Sequence, residues 1–177
     1  MQLPIISTKA AFAQFSETLQ AEGVREALAY LLRLTDYRFI GVFRFENGVI
    51  DAVVHYDREN PTATKARRTA DAETYCSHVR DSKQTFATAD ALTDSRLQHR
   101  PERESLVAYC GVPVMDANGA MLGTLCHYDF VPRDPGQIDI ALMQDVAGVL
   151  AAGETLRTHG RGADPVRVPR RQEESSP

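Results

Sequence analysis

Three cysteines and five histidines are the side chains through which this 177-residue chain could do redox, nucleophilic or metal chemistry. Cys76, Cys110 and Cys126 are odd in number and far apart, which excludes a secreted disulfide framework and leaves free thiols as the expectation. None forms a C-x-x-C pair. His127 beside Cys126 is one adjacent couple without the spacing of a zinc ligand set, so no metal site is expected. Haem ligation would have to fall to one of His55, His78, His99 or His127, each of them isolated. Among the arginines, Arg96 is the candidate to enter an apolar site and fork onto a carboxylate or phosphate, while Lys65, Arg67 and Arg68 read as a solvated basic cluster. No Ser-His-Asp set, paired carboxylates or phosphate-cradling glycine loop is present, so no catalytic residue is assigned.

The elements that must position these groups follow from periodicity. Phe12, Phe15 and Leu19 recur at helical spacing behind Ser7 or Thr8 as cap, and after Gly23 so do Val24, Leu28, Leu31 and Leu32. From Phe39 the residues turn β-branched and aromatic, and Asn47-Gly48 separates two such runs, a strong hairpin signal. Asp57 to Glu73 is polar and reads as a long loop, Thr74 to Ser82 as a short helix turning Tyr75, Cys76 and Val79 inward, and Thr85 to Thr88 as a short strand. After an irregular connection from Asp90 to Arg103, a second hairpin joins Ser105–Met115 to Ala120–Phe130 around Asn118-Gly119. Pro113 should sit at a bulge or an unpaired position. Asp134 and Pro135 announce a last helix whose stripe is Ile138, Leu142, Val146, Val149 and Leu150. The order predicts an α+β domain over residues 1–158, a central antiparallel sheet with helices on one face, and a disordered tail over 159–177.

Composition bounds the function. A hydrophobic fraction of 43% in a chain of this length is enough for one real core, and a formal net charge of -4 provides no basic field for nucleic acid or an anionic membrane. The opening Met-Gln-Leu-Pro-Ile-Ile has no signal pattern, and no segment approaches a membrane span. A cytoplasmic protein is expected.

The ordered series Tyr75-Cys76-Ser77-His78-Val79, Ala89-Asp90-Ala91, Asp94-Ser95-Arg96-Leu97, Tyr109-Cys110-Gly111-Val112-Pro113-Val114, Asn118-Gly119, and Gly123-Thr124-Leu125-Cys126-His127-Tyr128-Asp129 with Pro132-Arg133 resembles the GAF domains of bacterial signalling proteins, and it covers residues 8 to 156. The resemblance implies a five- or six-stranded sheet with the N- and C-terminal helices on one face. It also implies short helices and loops over a ligand cavity on the other face, and dimerisation through the first and last helices. Members of that family hold cyclic nucleotides, tetrapyrroles, haem, small acids or nothing known, so the cofactor is left open. One member type, the free methionine-(R)-sulfoxide reductases, works by a cysteine relay. Where its attacking thiol falls, this chain has Pro101 to Glu104, its acidic pocket positions are here Tyr109, Cys126 and Tyr128, and Cys76 alone matches one of its cysteines. The Cys126-His127 couple also lies in the final strand, whereas bilin-binding GAF domains carry theirs earlier.

Strand alternation sorts the candidates onto one face: Leu122, Thr124, Cys126 and Tyr128 on the last strand, Tyr109 with Gly111 and Pro113 on its partner. With Tyr75, Cys76 and Arg96 arriving from the short helix and the irregular segment, the expected wall suits a small, partly polar ligand. The same thiols and phenols could equally be buried core residues. The function expected is a non-catalytic small-molecule sensor acting as a homodimer with a protein signalling partner. The alternative is a thiol-based redox sensor or methionine-sulfoxide-reductase-like enzyme using Cys76 and Cys126.

Overall fold

The computed structural model describes residues 5–46, 49–64 and 69–156. The turn at Asn47-Gly48, the basic cluster of Lys65, Arg67 and Arg68, and the tail from 159 to 177 lie outside the described residues. The elements are α1 (Thr8–Glu22), α2 (Val24–Arg33), β1 (Phe39–Glu46), β2 (Val49–Asp57), α3 (Thr69–Ser82), β3 (Phe86–Thr88), β4 (Ala108–Met115), β5 (Met121–Asp129) and α4 (Ile140–Ala152). The five strands form one sheet in the order β2-β1-β5-β4-β3, with every neighbouring pair antiparallel. Among the described residues no helix is long and apolar enough to cross a membrane.

Helices α1 and α4 are each started by a side-chain cap. Ser7 Oγ accepts the Ala10 N–H at the head of α1, and the Thr8 hydroxyl donates to the Asp139 carboxylate, which itself caps α4 by accepting the Leu142 N–H. The sequence reading placed the start of the last helix at Asp134 and Pro135. That pair instead opens a separate 3-10 turn over Pro135–Gln137, Ile138 is extended, and α4 begins behind its own cap Asp139. Helix α3 begins at Thr69, five residues earlier than expected. Ala70 and Ala72 are good helix formers but too small to show an apolar period, so periodicity misses that first turn.

The sheet has two covered faces. On one, Phe15 of α1, Leu28, Leu31 and Leu32 of α2, and Leu142, Val146 and Leu150 of α4 pack on Ile40, Val42, Cys110, Val112 and Leu125. On the other, Tyr75, Cys76 and Val79 of α3 cover Phe39, Phe43, Tyr109, Cys126 and Tyr128, with Ala91, Leu97 and Leu106 closing the side. Each large apolar side chain so buried contributes roughly 1.5–3 kcal/mol. Pro113 pairs in register with Thr124 but lies past Gly111, the last β4 residue paired with β3, and one residue short of the irregularity between Val114 and Met115. At that level β4 is an open edge, where a residue without an N–H is tolerated.

Buried acids tie the strand ends together. Arg38 donates to both carboxylate oxygens of Asp57 at 2.9 Å, and Asp129 accepts from the backbone of Arg38 and Phe130 and from the Arg133 guanidinium. Burial alone would raise the Asp57 carboxyl, but the Arg38 bonds and the Glu59 N–H outweigh it and hold it below its ordinary value.

Candidate functional site

Antiparallel register sets the geometry of the face beneath α3. One row runs His55, Gly41, Cys126, Gly111 and Phe86 across all five strands, and the next runs Asp57, Phe39, Tyr128, Tyr109 and Thr88. Alternation therefore carries Thr124, Cys126 and Tyr128 of β5 and Tyr109 of β4 to the same side, as the residues predict, whereas Leu122, expected with them, is the extra residue at the irregularity between the Gly123 and Met121 pairs and packs with the helix-side core. Helix α3 lowers Tyr75 and Cys76 onto them.

These six side chains meet, and they fill the space they share. Tyr75, Cys76, Tyr109, Thr124 and Cys126 are all 0% exposed and Tyr128 is 2% exposed. Tyr109 Oη donates to Cys76 Sγ at 3.3 Å, Thr124 Oγ1 donates to the same sulfur at 3.0 Å, and Tyr75 Oη donates to the Leu106 carbonyl at 3.0 Å. Tyr128 stacks on Phe39 with ring centroids 4.8 Å apart. Burial first, then the neighbouring thiols, pushes the Tyr109 phenol well above its ordinary value. Burial followed by Cys76 does the same to the Cys126 thiol. The cluster is uncharged, and a thiol so placed is a poor nucleophile.

Gly111 makes the arrangement possible. A Cβ there would lie 2.3 Å from the Tyr109 phenol oxygen, so the ring leans over the glycine to reach Cys76. Gly111→Ala is expected to push the phenol off its sulfur partner and to destabilise the fold by about 1–3 kcal/mol in urea denaturation. In a Tyr109→Val background the same substitution should cost less than about 1 kcal/mol, a coupling that a double-mutant cycle measures.

Arg96 does not join this cluster. It donates to Asp94 and to the Ala87 carbonyl at 2.6 Å, and its guanidinium lies 4.8 Å over the Phe86 ring on the outside of the domain. Asp94 also caps the turn at Arg96, and Asp90 caps the turn at Leu92, as their spacing suggests. Cys110 faces the helices on the opposite side, where burial pushes its thiol up to about 12. Among the described residues no group of three or more metal-ligating side chains gathers.

His55 is the residue that sequence reasoning leaves unplaced. It is 4% exposed, packs against Phe39 and Tyr128 with ring centroids 5.5 and 5.8 Å apart, and neither ring nitrogen has a hydrogen-bond partner among the described residues. Counting back from the hairpin turn sets His55 opposite Ile40, on the helix face. A bulge, with Val42 paired to Val54 and Phe43 to Ala52, makes Val53 the extra residue and moves His55 opposite Gly41. No residue type in β2 announces that bulge.

This five-stranded antiparallel sheet with its four helices is similar to the GAF domain of a phosphoenolpyruvate-protein phosphotransferase from Acinetobacter. That likeness has a TM-score of 0.61 over 84% of this chain and 93% of that one, at 9% identity. The chain has the GAF fold. A free methionine-R-sulfoxide reductase from Neisseria meningitidis, solved with its substrate, shares it at a TM-score of 0.59 and 12% identity, covering 86% of this chain and 93% of that one. Proteins of such different activity on one GAF scaffold leave the function to the side chains of the site. In sequence, 97 residues are 33% identical to a cyclic di-GMP phosphodiesterase of Pseudomonas aeruginosa, a stretch that is 52% of this chain and 16% of that protein. No protein-family model matches the chain.

Proposed function

We propose that the chain is a non-catalytic, ligand-responsive GAF module that works as a homodimer through α1 and α4 and binds a small neutral molecule between α3 and the sheet. The observation that carries this is the pair of hydroxyls, Tyr109 and Thr124, that both donate to the Cys76 sulfur at the centre of an apolar layer. A thiol is a weak acceptor, so a ligand carbonyl or hydroxyl oxygen in its place would satisfy both donors better. The six side chains that meet under α3 are all of uncharged types, which favours an uncharged ligand over a phosphate or carboxylate. Because these side chains fill the layer, entry of a ligand requires α3 to lift from the sheet, and α3 is then the element that reports occupancy. The partial sequence likeness to a long signalling phosphodiesterase supports a regulatory role.

Native mass spectrometry of the purified protein, followed by a thermal-shift panel of neutral polar metabolites, tests this reading. A bound small molecule at 100 times its Kd should raise the melting temperature by roughly 5–10 °C, since it adds about 2.7 kcal/mol. Thr124→Val should weaken the same ligand about tenfold, as one hydrogen bond is lost from a buried site. No co-purified ligand and no stabilising compound would remove the sensor reading. Reversible protection of Cys76 and Cys126 from alkylation after mild peroxide would replace it with the redox alternative.

A further inference from the structure

The opposite side of the sheet holds an opening, formed where the start of α1, the end of α2 and the start of α4 meet above β5. Its cavity of about 380 Å³ is walled chiefly by Ala11, Leu31, Leu34, Leu142 and Met143, and His127 lines it from the strand. This volume lies in the range of small-molecule sites. His127 is 1% exposed, and neither Nδ1 nor Nε2 has a hydrogen-bond partner among the described residues. The Tyr37 ring meets it edge-on at 5.7 Å, and the buried Tyr37 hydroxyl is unpartnered as well. Buried polar groups without partners are rare in folded proteins and call for a specific cause.

The other polar groups around this cavity are already engaged. The Thr35 hydroxyl donates to the Leu32 carbonyl at 3.0 Å and accepts the Tyr37 N–H. The Asp139 carboxylate holds Thr8 and the N-terminus of α4, and Gln137 Oε1 accepts the Asp36 N–H at 2.7 Å. That leaves the His127 imidazole as the polar lining group able to orient a guest. Among the described residues no lysine or arginine lines the cavity, and Asp139 at its edge disfavours an anion. A neighbouring copy could lay a helix over the rim, but only a thin molecule can bring a polar atom to a ring so deeply recessed.

We infer that this helix-side cavity is a second ligand site, separate from the layer beneath α3, for a neutral and mostly apolar small molecule whose single hydroxyl, phenol or amide pairs with the His127 imidazole. The guest would sit where α1, α2 and α4 join, so its presence stiffens the packing of the terminal helices without touching Cys76 or Tyr109.

Calorimetric titration of the full chain with 2-naphthol tests the site, with 2-naphthalenesulfonate as the charged molecule of the same shape. Saturable 2-naphthol binding is expected, with the sulfonate at least tenfold weaker. His127→Phe, which keeps the ring and removes both nitrogens, should weaken 2-naphthol at least tenfold. Leu34→Trp, at a partly buried wall position, should abolish binding, whereas Thr124→Val on the other face should leave it unchanged. The inference is overturned by absent 2-naphthol binding, by equal binding of the sulfonate, by binding that survives Leu34→Trp, or by binding that Thr124→Val removes. Competition between 2-naphthol and self-association in sedimentation velocity would likewise overturn it, by assigning the opening to a second copy of the chain.

Discussion

Between about pH 6.5 and pH 4 the folded protein is expected to lose stability steeply, by up to about 1.4 kcal/mol per pH unit for each of two histidines. Burial pulls His127 from 6.5 down to about 3 and His55 from 6.5 down to about 4, so both are neutral in the native state. The unfolded chain takes a proton on each imidazole as pH falls below 6.5, and the native chain refuses it. The unfolded state therefore binds more protons throughout that window, and stability rises with pH until it levels off above 6.5. Asp57 is shifted in the same direction, down from 3.8, so its contribution is complete above that value and is lost only in more acidic solution. Urea midpoints measured from pH 4 to pH 8 should show the slope, and His55→Phe or His127→Phe should each remove about half of it. A flat profile across this range would mean that both rings find proton partners in the native state.

Gly123→Ala is expected to destabilise the fold by about 3 kcal/mol or more, lowering the melting temperature by roughly 6–12 °C. A Cβ at Gly123 would stand 1.9 Å from the Phe43 carbonyl oxygen and 3.2 Å from the Arg44 Cα. Both atoms are backbone of the neighbouring strand, so no rotamer change relieves the clash. Because β5 is paired on both sides, with Arg44 and Val114 flanking Gly123, any shift breaks a ladder at the centre of the sheet. Gly148→Ala is the contrasting case: nothing lies within 4 Å of its would-be Cβ, the position is an exposed one in α4, and about 0.5–1 kcal/mol of stabilisation is expected from helix propensity. Calorimetric melting of the two variants beside the parent protein measures both changes.

What the residues disclosed and what they hid divide along a physical line. Alternation needs no knowledge of register, so Tyr109, Thr124, Cys126 and Tyr128 could be assigned to one face from the strand runs alone, and the Asn118-Gly119 turn told the two strands to pair. The apolar positions Tyr75, Cys76 and Val79 likewise pointed α3 at the sheet. Whether converging polar groups enclose space or consume it depends on packing distances of a few ångströms, which no pattern of residue types encodes. The path of its segment points Arg96 inward, yet Asp94 two positions earlier and the Phe86 ring hold it outside. His55 depended on one bulged residue, and the partnerless state of His127 depended on what α1, α2 and α4 leave uncovered.

The split of the thiols between the two layers gives the protein native reporters of its own breathing. Cys110 lies among the helices that end the chain's first and last segments, while Cys76 and Cys126 lie under α3. A maleimide or other thiol probe can reach any of them only when the corresponding layer opens, so site-resolved labelling rates read the two openings independently. If α3 loosens while the helical side stays shut, Cys76 and Cys126 will be modified long before Cys110, in a molecule that carries no engineered tag.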